Sequence, residues 1–288
     1  VGSVTKIAVT SFGTFGKVET KKGLGLSSLS KFANNPDVEY IEPNYLISLK
    51  SEVAPSPVPK DPSFKKQWGL KNDGKNGSIF SSGIAGEDIN AINAWSISKG
   101  SKDVKIAVID TGVDYTHPDL KNQILINETE LNGKPGVDDD GNGYIDDIYG
   151  YDFANKDGDP QDGHGHGTHC AGVIGASHDG QGVVGVMADV KILPIKFLSD
   201  SGSGETIDAI SAIDYAIKRG VQIMSNSWGG GEKEQALEDA IKAADKAGII
   251  FVAAAGNDSA DNDSVDSFPA NYDVPNVISV ASITNKGA

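Results

Sequence analysis

The chain has 288 residues, with 40 acidic against 25 basic side chains and a formal net charge of −15. That balance argues against a nucleic-acid-binding protein, because phosphate contacts need clustered Lys and Arg. No apolar run approaches the length of a membrane span, and a single cysteine, Cys170, excludes an intramolecular disulfide.

Residues 1–50 alternate strand-like pieces (KIAVT, GKVET, VEYIEPNYLISL) with a short helical piece around LSSLSKFANN, the pattern of a small α+β domain. The run SEVAPSPVPKD follows. Its prolines at positions 55, 57 and 59 favour extended, solvated backbone, so residues 51–60 read as a linker. Residues 61–288 then alternate strand and helix. VKIAVID is a buried strand ending at Asp110, and His166 to Ala176 is a helix. VKILPIKFL is a strand, and ETIDAISAIDYAIKRG is an amphipathic helix closed by Gly220. VQIMSNS is a strand, and EKEQALEDAIKAADKAG a helix with Ala240, Ala244 and Ala247 near one face. IIFVAAAGN and NVISVAS are strands. Alternation of this kind implies an α/β fold, a doubly wound parallel sheet with helices on both faces. Ligands meet such sheets at the carboxyl ends of the strands, where Asp110 and Asn257 both stand.

Two motifs carry chemistry: IAVIDTGVDYTHPDL at 106–120 and GHGHGTHCAG at 163–172. Peptide hydrolysis needs a nucleophile, a base, an orienting carboxylate and donors for the oxyanion. An Asp ending a strand also serves to cap the next turn. His164, His166 and His169 have a spacing that invites a zinc reading, but the general base of an H-E-x-x-H site is missing. Both motifs, in the order Asp then His, resemble the subtilisin-like serine proteases (subtilases) of thermitase and proteinase K type. The resemblance implies that Asp110 orients His166, the general base, and that the Asn257 amide helps bind the oxyanion. It implies a substrate channel in which Ser227, Trp228 and Gly229 form one wall and a strand edge, and Ala254, Ala255 and Gly256 the other wall. Gly202, Ser203 and Gly204 form the second edge, and an extended peptide adds as a strand between the two. Cys170 is expected to be a small buried residue, His117 structural and His178 on the surface.

The segment NNPDVEYIEPNYLISL resembles the end of a subtilase propeptide. That implies an intramolecular inhibitor in residues 1–50, matured by a cut within 50–60, ahead of a catalytic domain over 61–288.

Acidic residues cluster in three places. DDDGNGYIDD sets Asp138, Asp140 and Asn142 at alternate positions, with Gly143 sixth and Asp146 and Asp147 following, an EF-hand-like loop without its terminal Glu. A solvated acidic insertion is the plainer alternative. In YDFANKDGDPQDG, Asp152, Asp157, Asp159 and Gln161 match positions where thermitase-like subtilases place calcium ligands, with Asn155 where a carboxylate is usual. Asp61, Asp119 and Asp179, with the carbonyls of Ser177, Gln181 and Val183, match the family's tight calcium site. Calcium (Ca2+) is therefore the expected cofactor.

No Gly-Thr-Ser-x-Ala nucleophile motif occurs up to Ala288. The resemblance places that serine further on, so these residues alone are expected to be inert, with apolar sheet surface exposed where later helices would pack. The expected whole is a secreted, calcium-dependent serine endopeptidase precursor acting on protein or peptide substrates. A pseudoprotease that binds peptides or a protein partner is the alternative, and a calcium-binding structural module a third.

Overall fold

The computed structural model describes residues 3–10, 13–19, 35–39, 56–75 and 83–287. The chain divides into two compact units, Val1–Glu52 and Val53–Ala288. In the first, β1 (Ser3–Thr10) pairs antiparallel with β2 (Gly13–Glu19), Thr10 facing Gly13, where KIAVT and GKVET were expected as strands. The helix around LSSLSKFANN and the strand VEYIEPNYLISL fall almost wholly outside the described residues, as do linker residues 51–55; residues 56–60 carry no regular structure.

The second unit opens with a short 3-10 helix (Phe64–Lys66) and α1 (Ala91–Trp95). Phe64, Leu70, Ala91, Trp95 and Val184 close a small apolar cluster there. His178 stands edge-on to Trp95 at 4.7 Å, its Nε2 2.8 Å from the Gly185 carbonyl, so it is half-buried packing and not a plain surface residue.

The sheet is built from β3 (Gly100–Asp110), β4 (Tyr151–Asp152), β5 (Asp189–Lys196), β6 (Ile223–Asn226), β7 (Ile250–Ala254) and β8 (Val277–Val280). Its order is β4-β5-β3-β6-β7-β8, and every pairing is parallel. The connections are α2 (Glu128–Leu131), α3 (His166–Gly175), α4 (Thr206–Lys218) and α5 (Gln235–Lys246). The fold is the expected α/β one. Residues 106–110 of β3 are buried on both faces, which is why IAVID reads as an unbroken apolar run and not as an alternation. Winding reverses at β3: the chain returns through β5 on one side and then crosses to β6 on the other. A crevice is expected at such a switch point, and Asp110 stands at it.

On one face Ala107 and Ile109 pack with Leu193, Ile195, Met224, Phe251 and the inner sides of α4 and α5. Each such large side chain withdrawn from water contributes about 1.5–3 kcal/mol. Both helices end in a Schellman turn. Gly220 (φ +65°) donates to Ile217 O while Val221 donates to Ala216 O. Gly248 (φ +73°) donates to Asp245 O while Ile249 donates to Ala244 O. The left-handed residue costs glycine least. On the other face α3 packs over β3 and β5, covering Ile106, Val108 and Ile192. Further along, Ile250, Ile278 and Val280 are 42%, 49% and 49% exposed, an apolar stretch that the described helices leave open.

Candidate active site

Asp110 ends the buried strand and is 1% exposed. The chain must then turn hard against the 160–161 segment. Gly112 has φ +100°, and a Cβ there would lie 2.5 Å from the Pro160 carbonyl oxygen, so only glycine fits. Gly165 (φ +97°) leads into α3, whose first residue is His166. Gly167 lies so close to the Asp110 turn that a Cβ would stand 2.1 Å from Gly112 O and 3.0 Å from the Asp110 Cβ. These contacts bring His166 Nδ1 to 2.7 Å from Asp110 Oδ1. In the neutral imidazole Nδ1–H donates here and Nε2 keeps its lone pair. Asp110 Oδ1 also accepts the Thr111 N–H at 2.7 Å, while its buried Oδ2 has no hydrogen-bond partner among the described residues. The His166 side chain is 43% exposed, so the pair has a buried anion beneath a ring open to solvent.

Asp162, unremarked in the sequence, organises the entry to α3. It accepts N–H bonds from His164, Gly165 and Thr168 (2.9, 2.8 and 2.9 Å) and the hydroxyls of Thr168 and Thr111 (2.6 and 2.9 Å). Burial pushes its carboxyl up, but the bonds from Thr168, Gly165 and His164 outweigh that and hold it below the usual carboxylate range.

Cys170, expected to be buried, is half-buried, its Sγ 4.0 Å from His166 Nδ1. Burial, chiefly, with the Asp110 charge adding and a Ser227 hydrogen bond opposing, pushes the thiol up to about 11. It is therefore neutral at ordinary pH and unsuited to act as a nucleophile. His164, His166 and His169 do not converge as a metal-sized cluster among the described residues. His117 Nδ1 accepts the Asp119 N–H at 3.1 Å, a local structural bond.

The expected channel residues lie on loops at the same ends of the strands. Ser227, Trp228 and Gly229 follow β6, while Ala254 ends β7 and Ala255 and Gly256 follow it; β6 and β7 are neighbours. Both segments approach Ser267: the Cβ positions of Gly229 and Gly256 are 3.9 and 3.5 Å from its Oγ. Gly202, Ser203 and Gly204 follow β5 and are exposed. A Cβ on Gly204 would meet the Phe197 carbonyl oxygen at 2.4 Å. Phe197 in turn packs edge-on against Trp228 at 4.9 Å, joining the two edges, and the buried Trp228 indole N–H has no partner among the described residues. Asn257 is exposed, three residues past the end of β7.

The acidic clusters differ in how far their residues converge. Oxygens of Glu130, Asp140 and Asp147 all lie within 4.8 Å of one another. Glu130, on α2 before the loop, was not anticipated from sequence; it is 4% exposed and accepts the N–H groups of Asp139, Asp140 and Asp146. Asp138 accepts those of Gly141, Asn142 and Gly143, and these bonds, Gly143's first, lower its carboxyl. Asp147 is fully buried and bonds Asn127, Asn142, Tyr215 and Arg219. Asn142 also bonds Asp140, whereas Asp146 turns to the Gly136 N–H.

In the second cluster Asp152 is buried, and burial above all raises its carboxyl, opposed by Asn155 hydrogen bonds. Asp157 pairs with Asp152 through backbone, Asp159 accepts the Tyr115 hydroxyl at 2.8 Å and Gln161 is half-buried. In the third, Asp61 and Asp119 are each 4% exposed and grip the 177–183 loop, accepting the N–H groups of Gly180 and Val183 at 3.0 Å. Ser177 N–H donates to Asp119 O, and Asp179 accepts the Gln181 N–H.

Residues 101–288 match the model of the subtilase family. The chain is 44% identical to subtilisin-like protease 1 of Plasmodium berghei (strain Anka) over 154 residues, 53% of this chain and 26% of that protein. It is 35% identical to the thermophilic serine proteinase of Bacillus sp. (strain AK1) over 253 residues, 87% of this chain and 50% of that protein. It is 35% identical to thermitase of Thermoactinomyces vulgaris over 209 residues, 72% of this chain and 64% of that protein. The chain thus spans from about a quarter to just under two thirds of the length of these relatives.

Proposed function

The chain belongs to the subtilase family of subtilisin-like serine proteases, and on that premise we propose that it is part of a secreted, calcium-stabilised endopeptidase precursor. The observation that carries this reading is the 2.7 Å contact between His166 Nδ1 and the buried Asp110 carboxylate at the switch point of the sheet. Asp110 holds the ring in the tautomer whose Nε2 can take a proton, and its buried charge stabilises the imidazolium that then forms. The family's acyl transfer uses a serine nucleophile, whose proton His166 would take as general base. The Asn257 amide donates to the developing oxyanion, an interaction worth about a hundred- to a thousandfold in rate. A peptide lies between the Gly202–Ser203–Gly204 and Ser227–Trp228–Gly229 edges, with Ala254, Ala255 and Gly256 facing its side chain. Residues 1–50 act as the intramolecular inhibitor, removed by a cut within 50–60.

Calcium belongs to the same proposal. Converging carboxylate oxygens on glycine-turned backbone suit a hard cation, and Glu130 supplies the carboxylate that the 138–147 loop lacks at its end. Glu130, Asp140, Asn142 and Asp147 would hold the ion, with Asp138 ordering the loop. Asp152, Asp157, Asp159 and Gln161 form a second candidate set. Asp61, Asp119 and Asp179, with the carbonyls of Ser177, Gln181 and Val183, form a third. Bound calcium would lock these loops.

The test is a peptide-hydrolysis assay on the protein, with and without a serine-directed inhibitor. Turnover abolished by the inhibitor and by Asp110→Asn supports the reading. Peptide binding without turnover would favour the pseudoprotease alternative.

A further inference from the structure

Resting on that peptidase reading, we infer that Lys196 is a positioning residue for the Asp110–His166 pair, its buried ammonium tying the turn that carries Asp110 to the loop that presents the substrate edge. Lys196 ends β5 and is 2% exposed. Its backbone lies opposite Asp110 on β3 and Asp152 on β4. The ammonium donates to the Thr111 carbonyl at 2.9 Å and to Asp200 Oδ1 at 2.5 Å. Burying a charged amine is costly unless it is paired and hydrogen-bonded, so its placement here calls for a physical account.

Thr111 supplies one, because each of its polar groups is committed. Its N–H goes to Asp110 Oδ1, its hydroxyl donates to Asp162 and accepts the Gly167 N–H, and its carbonyl accepts from Lys196. Thr111 therefore sets the distance between the Asp110 turn and the first turn of α3, and Lys196 holds Thr111 from below. The two residues after Lys196 act in the same direction: the N–H groups of Phe197 and Leu198 reach the Asp110 carbonyl at 3.1 and 3.2 Å. On its other side Lys196 holds Asp200, two residues before Gly202. The Asp200 carboxylate packs on Gly163, where a Cβ would stand only 2.4 Å from its carbon, so the segment leading to His166 rests on the same ion pair. One cation thus joins the Asp110 turn, the approach to His166 and the substrate-edge loop. Asp200 is 67% exposed, so the pair's contribution is expected in geometry more than in global stability.

The experiment is proton NMR of the hydrogen-bonded His166 Nδ1–H in the 288-residue chain, which needs no turnover. Lys196→Met keeps the side-chain length and removes the charge. The expected result is loss or an upfield shift of that resonance, a smaller shift in Asp200→Asn and its retention in Lys196→Arg. Asp200→Asn changes an exposed group, so it decides the matter alone if Lys196→Met does not fold. A resonance unchanged in every folded variant, even with a lowered melting temperature, would overturn the inference and leave Lys196 a packing residue. In a peptidase assay Lys196→Met should lower kcat about ten- to a hundredfold with KM nearly unchanged, as for a misplaced catalytic group; an unchanged kcat in that variant also overturns it. A shifted resonance in a protein devoid of peptidase activity would instead refute the peptidase reading.

Discussion

Asp147 and Arg219 meet at 2.7 Å, with side chains 0% and 11% exposed, and Arg219 is the chain's sole arginine. Asp147 closes the acidic loop, while Arg219 is the last residue before the glycine that ends α4. Tyr215 completes the junction, donating to the same Asp147 oxygen at 2.5 Å. Burial foremost, with Asp147 adding and Arg219 opposing, pushes the Tyr215 phenol up, so it stays a donor. Removing one partner of such a pair leaves a buried charge uncompensated. Arg219→Met should therefore destabilise the protein by about 3–5 kcal/mol. Denaturant unfolding of Arg219→Met, Asp147→Leu and the double variant measures this, and the double variant should be more stable than the sum of the single losses implies. Additive losses would deny the coupling.

Gly167 and Gly172 both lie in α3, yet the same substitution should act oppositely at the two. A Cβ at Gly167 would collide with the Gly112 carbonyl oxygen at 2.1 Å, whereas nothing lies within 4 Å of one at Gly172. Gly167→Ala should cost about 1–3 kcal/mol or more through overpacking against backbone and should lengthen the His166–Asp110 bond. Gly172→Ala should raise stability by about 0.5–1 kcal/mol through helix propensity. Melting curves of both variants read the difference in sign.

Cys170 offers a pH test. Burial, chiefly, raises its thiol to about 11, and thiolate is the form that reacts with alkylating agents. Iodoacetamide labelling of the folded chain should be slow near pH 8 and climb towards pH 11. A midpoint near the ordinary value of about 8.5 would contradict the partial burial of Cys170 beside His166.

Calcium should matter most where carboxylates already converge. EDTA is expected to lower the melting temperature and excess calcium to restore it. Asp140→Asn alters an exposed ligand candidate, so it should shrink the calcium-dependent increment while leaving the melting temperature in EDTA nearly unchanged. Superimposable melting curves in EDTA and calcium would remove the cation from the account.

Asp162 gives a stability prediction in acid. Its carboxyl is held low in the folded state, so its contribution is present above the unfolded value of about 3.9 and is lost as pH falls through the lower folded value. Asp162→Asn should weaken the start of α3 at neutral pH, because the charged acceptor of five hydrogen bonds is lost, with the difference from wild type narrowing as acid is added. A constant difference across that range would show that the charge is not what holds the turn.

The strand ending at Asp110, the helix starting at His166, the helix closed by Gly220 and the parallel α/β plan were legible in the sequence. Each rests on local rules: an apolar run, a 3.6-residue period, or a left-handed turn that only glycine accepts cheaply. The pairing of Asp110 with His166 was legible through the resemblance its motifs carry. What only the tertiary structure decided is how polar side chains distant in sequence are spent. Lys196 finds Thr111 across 85 residues and Arg219 finds Asp147 across 72. Glu130 enters the acidic loop from a preceding helix, Asp146 leaves it for Gly136, and Asp159 is drawn to Tyr115. No periodicity marks such partners, because a carboxylate or ammonium has the same local signature whether water or a buried partner will satisfy it. The packing of strands and loops brings one partner within reach, and burial then makes leaving it unpaired too costly.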